Sequence, residues 1–291
     1  MAGEVSLAVA AKAAAENFPV ALRVLPKSLR QHLTAYYGFA RLTDDIGDEP
    51  LPGITGSLSP DEERAARIRL LDELEADVKK IYDGPGEPAL PAIRALKETV
   101  KATGIPFSEL AGLIQANRQD QLVARYDTYT DLVRYCELSA NPVGRVVLYI
   151  VGAATGERIA LSDKICTALQ LVEHWQDVAE DLANGRVYLP QEDLKEHGVT
   201  EDDLARPTAS KQVISLMTFE TQRATALLDE GAPLVGTLSG FARVAVAGYI
   251  AGGRAALKAI RDAGYDVLRS TPRPAKAATL AGLASAYTRG R

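Results

Sequence analysis

Two groups of carboxylates stand out by type and spacing. Glu173, Asp177 and Asp181 recur every four residues, with Glu180 beside them. On a helix this interval lays them along one stripe. Far upstream, Asp44 and Asp48 are also four apart, with Asp45 between them and Arg41 one turn back. Two carboxylates about 4 Å apart repel by roughly 1 kcal/mol in water and about 4 kcal/mol at an effective dielectric near 20. No Lys or Arg lies between Leu169 and Asp181 to offset this. A hard divalent cation with oxygen ligands, Mg²⁺ above all, is the natural neutraliser. The plain alternative is a solvated acidic surface helix. A lone DDxxD says little, but DDxxD with a distant ExxxDxxxD and then GRxYLP says much more. Two such stripes facing each other across a cavity could hold several Mg²⁺ ions against a diphosphate.

The elements that must position these groups read as helices. Leu161 to Asp181 reads as one helix, with Leu169, Val172 and Trp175 apolar and no Gly or Pro inside it. The first group ends a helix starting near Lys27, where Leu29, Leu33, Tyr36, Tyr37 and Ala40 keep helical spacing. A short Ala-rich helix is predicted over 4–15, a loop over 50–59, and a charged helix capped by Ser59. Gly84-Pro85-Gly86 marks a turn, and a helix follows over about 89–102. Ser108 opens the segment containing Asn117-Arg-Gln-Asp-Gln121, and Thr130 to Ala154 is a long apolar helix kinked at Pro142. Lys211–Leu228 and Phe241–Arg261 are the last core helices, with short helical turns over 191–205 and a terminal helix over 276–287. No alternating strand pattern or repeat is visible. The expectation is an all-α chain, one domain over 1–291, forming a large bundle around a central cavity, with a core over about 16–266 and a tail over 267–291.

The composition narrows the classes. The 291 residues carry a formal net charge of −5, and no basic patch invites nucleic acid. Cys136 and Cys166 have no metal-site spacing and read as core residues in a reducing, cytoplasmic compartment. The N-terminal stretch reads as a helix rather than a signal peptide, and no run of about 20 apolar residues suggests a spanning helix. A greasy product would then call for peripheral contact with the inner membrane.

These motifs resemble the squalene and phytoene synthase family of head-to-head prenyl synthases. The matching pieces are FARLTDDIGDE at 39–49, YCELSANPVG at 135–144, QLVEHWQDVAED at 170–181 and GRVYLP at 185–190. Four stretches are similar to one branch, the hydroxysqualene synthases of bacterial hopanoid pathways: ENFPVALRVLP at 16–26, NRQDQLVARY at 117–126, SANPVG at 139–144 and HWQDV at 174–178. The resemblance implies an isoprenoid-synthase helical bundle. It implies that Asp44, Asp45, Asp48, Asp177 and Asp181 act on the diphosphate, with Asp44, Asp48, Glu173, Asp177 and Asp181 holding two or three Mg²⁺ ions. Glu173 departs from the family's usual Asn, which puts the number of ions in question. Gln176 stands where many members carry Arg, and the hydroxysqualene branch tends to carry Gln.

Further roles follow from the same resemblance. Arg41 matches a diphosphate-contacting arginine, with an ion pair to Asp45 or Asp48 as its alternative. Arg186 could clamp phosphate or cap the preceding helix, while Arg23 and Arg118 carry weaker signals. Asp120 matches an acidic position near the pocket, or is a surface charge. Phe18, Tyr37, Tyr135, Val143, Gly144, Leu148, Gln170 and Gln176 are expected at the cavity or its substrate, Tyr135 offering its ring to a carbocation. Gly253 replaces a family Tyr, which would leave the pocket roomier there unless Tyr249 compensates. His174 is a satisfied core histidine or the group that orients a quenching water.

The implied chemistry is ionisation of presqualene diphosphate, capture of the C30 cation by water, and release of hydroxysqualene and pyrophosphate, with no NADPH. The alternative is condensation of two farnesyl diphosphates to presqualene diphosphate, dehydrosqualene or squalene. Pathway enzymes are the expected partners. Relatives of this fold that have lost the aspartates act as assembly factors, a reading that the retained motifs oppose.

Overall fold

The computed structural model describes residues 26–49, 58–83, 86–274 and residue 286. The helices expected over 4–15 and 276–287, Phe18, Arg23, residues 50–57 of the loop and Gly84-Pro85 therefore lie outside the described residues.

Helix α1, Lys27–Asp48, buries Tyr36, Phe39, Thr43 and Gly47 at helical spacing and ends on the first acidic group. Helix α2, Pro60–Lys79, starts in the expected cap: Ser59 Oγ accepts from the Glu62 amide, and the Ser59 amide donates to Glu62 at 2.9 Å. Helix α3, Pro91–Thr103, stops at Gly104, whose φ of 70° only glycine adopts freely. Helix α4 is Phe107–Asp120, α5 is Tyr129–Ser139 and α6 is Asn141–Ile150. The long helix expected over 130–154 is thus two helices. Ala140 (φ −108°, ψ −45°) breaks it, and Pro142 sits in the first turn of α6, where its missing N–H costs nothing.

The second acidic segment also differs from expectation. Helix α7, Gly156–Gln176, starts earlier than Leu161, capped by Thr155, and stops before Asp177. Asp177 leaves the helical region (φ −105°, ψ 17°), and α8, Val178–Ala183, follows. Aspartate competes with helical geometry through its own side chain, so this is a natural place to break. The hydrogen bonds nevertheless run through: the Asp177 amide donates to Glu173 O at 3.1 Å and the Asp181 amide to Asp177 O at 2.8 Å. The stripe survives as two joined pieces.

Short helices α9, Gln191–Glu196, and α10, Glu201–Leu204, lead to α11, Lys211–Gly231, then α12, Leu234–Thr237, and α13, Gly240–Asp262. Among the described residues there is no strand, only one isolated bridge between Arg125 and Val187. None of the described helices is long and apolar enough to cross a membrane.

Two apolar cores share walls. One gathers Tyr36 and Phe39 of α1, Leu71, Leu74 and Val78 of α2, and Ile93, Leu96 and Val100 of α3. The other surrounds α7, with Leu171, Val172 and Trp175 packed among Leu216, Leu228, Ile250 and Leu257. Helices α4 and α6 serve both: Leu110 and Ile114 face the first and Ala116 the second, while Val146 and Leu148 divide likewise. Gly253 leaves no extra room. A Cβ there would stand 2.6 Å from Leu169 Cδ2 and 3.0 Å from Leu228 Cδ2, so neighbouring leucines fill the space.

Candidate active site

The first acidic group hangs from the last turn of α1. Asp44 and Asp48 are exposed, and Asp45 is half-buried. Burial of its surroundings, with Asp48 and Asp45 adding repulsion, raises the Asp44 carboxyl to about 6, against the opposing pull of Asn117 and Arg41. Arg41 pairs with Asp45 at 2.7 Å and Glu49 at 3.1 Å, the ion-pair alternative of the sequence reading. Tyr37 lies half-buried one turn before it.

The second group sits where α7 meets α8. Burial, then repulsion from Asp177, Glu180 and Glu173, lifts Asp181 to about 7, with Arg186 opposing. Burial and Glu180 raise Asp177 as well, and Arg273 opposes. Glu173 is exposed. Gln176 donates to the backbone carbonyl of Pro272, next to Arg273, whose charge acts on Asp177.

Arg186 joins the two groups. The turn at Gly185 (φ 78°) directs it back across α8. Its Nη2 lies 3.6 Å from Asp48 Oδ1, and its charge also acts on Asp181 and Asp120. Asp120, at the end of α4, faces Arg186 and the first group. Burial raises it to about 6, Arg186 and the Tyr135 hydroxyl pull it down, and Asp48 and Asp44 push it up. These residues edge a cleft of about 330 Å³, lined by Asp48, Asp120, Gln121, Arg186 and Arg67 among others.

Behind the cleft lies an aromatic block. The Tyr135 hydroxyl donates to Asp120 Oδ2 at 3.0 Å, and its ring meets those of Tyr126, Tyr188 and His174 at 5.4, 6.0 and 6.3 Å. His174 stacks on Tyr188 with centroids 3.7 Å apart. Burial, then the Arg186 charge, depresses His174 to about 3, so it is neutral. It shares a 3.2 Å hydrogen bond with Gln170 and lies 4.0 Å from Asp181 Oδ2. A space of about 10 Å³ opens beside it, lined by Val178, Asp181, Val187, Tyr188 and Leu189, close to the size of one water.

Several expected residues stand elsewhere. Arg118 bridges Asp72 and Glu75 on α2, both at 2.7 Å, and so clamps α4 to α2. Gly144 is a helix-crossing residue, because a Cβ there would meet Cys166 Sγ at 2.4 Å and Ser162 Oγ at 2.5 Å. Val143 packs on the first core and Leu148 is buried in the second. Tyr126, Tyr188, Asn117 and Arg273 join the site without a role assigned to them from sequence, although NRQDQLVARY begins with Asn117 and ends with Tyr126, and GRVYLP contains Tyr188.

No group of three or more His, Cys, Asp or Glu among the described residues is gathered into a ready-made metal site. The donor chemistry still suits a hard cation. Asp120 Oδ1 and Asp177 Oδ1 are buried acceptors without a hydrogen-bond partner, and the carboxyls of Asp44, Asp120, Asp177 and Asp181 are all held above their ordinary range.

Two carboxylate groups joined by one arginine, on an all-α bundle, fit the isoprenoid-synthase class of enzyme. A profile of the squalene/phytoene synthase family matches residues 11–278, and the chain belongs to that family. It is similar to the hydroxysqualene synthase of Sinorhizobium fredii, with 33% identity over 227 residues, 78% of this chain and 72% of that one. The phytoene synthase of Mycobacterium tuberculosis is 28% identical over 216 residues, covering 73% of this chain and 67% of its own. Among solved structures, the squalene synthase HpnC from Alicyclobacillus acidocaldarius superposes with a TM-score of 0.79 at 38% identity, covering 90% of this chain and 94% of that one.

Proposed function

We propose that this isoprenoid synthase ionises presqualene diphosphate and directs water onto the resulting C30 cation, giving hydroxysqualene and pyrophosphate. The observation that carries the reading is Arg186, whose charge reaches carboxylates of both acidic groups. A diphosphate bound there meets a guanidinium suited to bidentate contact. Asp44, Asp48, Asp177 and Asp181, with Glu173 at the rim, would hold Mg²⁺, and Arg41 would help to orient the phosphates. The metal, when bound, offsets the charge that grows on the leaving diphosphate.

The chain's own groups handle the remainder. The C–O bond to diphosphate breaks, and the faces of Tyr135 and its aromatic neighbours favour the cation by cation–π attraction. Neutral His174 and Asp181 border the water-sized space, and Gln170 is hydrogen-bonded to His174, so they can orient a water whose oxygen bonds to carbon as its proton passes to the released pyrophosphate. The likeness to the Sinorhizobium hydroxysqualene synthase supports this product. The likeness to the Alicyclobacillus squalene synthase supports a second reading, condensation of two farnesyl diphosphates.

Incubation of the pure chain with Mg²⁺ separates them. Hydroxysqualene from presqualene diphosphate, with no product from farnesyl diphosphate alone, is expected. Product from farnesyl diphosphate alone would favour the second reading, and no turnover of either would oppose both.

A further inference from the structure

The C-terminal end of α1 carries Asp44 and Asp48, and its backbone is held by two neighbouring segments. Arg67, buried on α2, donates to the carbonyls of Ile46 at 2.7 Å and Glu49 at 3.1 Å. Gln121, just after α4, donates to the Gly47 carbonyl at 3.3 Å. Such carbonyls at a helix end have no partner within the helix.

Asn117 does something different. It is 8% exposed, its Nδ2 donates to Leu113 O at 3.1 Å, and the same nitrogen reaches Asp44 Oδ1 at 3.5 Å. Its Oδ1 occupies the place of a missing side chain: a Cβ on Gly47 would lie 2.2 Å from it. Gly47 has ordinary helical dihedrals, so glycine is needed there for space and not for conformation. The pair works as peg and socket. Three residues beyond Asn117, Asp120 takes the Tyr135 hydrogen bond. The end of α4 therefore fixes the first acidic group relative to the aromatic block.

We infer that Asn117, seated against Gly47, is a positioning residue that sets the Asp44 carboxylate for the metal–diphosphate head group of the substrate. This rests on the proposed diphosphate chemistry. It touches no reacting atom and acts through Asp44.

The test is a double-mutant cycle on the full chain, with Gly47→Ala, Asn117→Ala and both together. Calorimetry reads binding of inorganic pyrophosphate with Mg²⁺, and thermal unfolding is followed in parallel. Removing the Asn117 amide is expected to weaken binding roughly tenfold, as for a lost hydrogen bond to a charged group. Gly47→Ala should weaken it comparably by displacing the amide. The double variant should be no worse than Asn117→Ala, because the Asn117 Cβ lies 3.8 Å from the added methyl, an ordinary contact. Losses that multiply, or lowered unfolding temperatures with full affinity, would overturn the inference. Should Gly47→Ala fail to fold, Asn117→Ala adds no atoms and its affinity alone decides. No binding by the unaltered chain would overturn the diphosphate reading as well.

Discussion

Arg186 is the residue on which the two acidic groups converge, and its chemistry is specific. A lysine would keep the charge but lose the planar fork that can meet two phosphate oxygens at once. Arg186→Lys is expected to raise KM for the diphosphate substrate more than it lowers kcat. Because Arg186 draws the carboxyls of Asp120 and Asp181 downward, Arg186→Ala should let both rise further above about 6 and 7. The acid limb of the kcat/KM profile should then move to higher pH, which a pH series checks. Asp177→Asn keeps the volume but not the charge. It should leave the unfolding temperature nearly unchanged while turnover falls by about two orders of magnitude or more. The acidic residues were legible in the sequence because four-residue spacing is a local signal. Asn117 was not, because its meaning lies in Gly47 and Asp44, each at least 70 positions upstream. The hydrogen bond from Gln176 to Pro272, 96 positions downstream, is likewise invisible in sequence.

Helix joints account for the positions where a small change would be felt. Gly231, at the end of α11, lies against α7, where an added Cβ would meet Leu161 O at 2.8 Å and Ile165 N at 3.1 Å. Backbone cannot step aside, so Gly231→Ala should destabilise by about 1–3 kcal/mol in denaturant unfolding. Gly253→Ala meets only leucine methyls, which can rotate, and should cost less. Another joint links α9, α11 and α5. Glu220 is fully buried and hydrogen-bonded with Asp193, while Arg223 pairs with Asp193 at 2.9 Å and lies over the Tyr129 ring at 4.0 Å. Burial, then the Asp193 hydrogen bond, holds Glu220 up at about 8, against an ordinary value of 4.5. The folded chain keeps this proton where the unfolded chain has lost it. Stability from Glu220 is thus full below pH 4.5 and is lost as pH rises through about 8. Glu220→Gln should match the parent at pH 5 and exceed it at pH 8–9, by roughly 1–3 kcal/mol. The helices themselves were legible from apolar spacing, within a few residues at most ends. The breaks at Ala140 and Asp177 were harder, since a kink and a chain break leave similar traces in sequence.

At the scale of the molecule, the bundle is two cores with α4 and α6 as shared walls. One core carries Asp44 and Asp48 on α1, and the other carries Asp177 and Asp181 beyond α7. The end of α4 brings Asp120 to the first group and to Arg186, whose charge also reaches Asp181. On the proposed function, like charges gathered this way are offset by bound cations. Anomalous scattering from crystals soaked with Mn²⁺ and inorganic pyrophosphate tests whether those cations bind. The expected map holds metal peaks in contact with both Asp44 or Asp48 and Asp177 or Asp181, with pyrophosphate against Arg186. Peaks confined to one acidic group, or pyrophosphate bound away from Arg186, would contradict it.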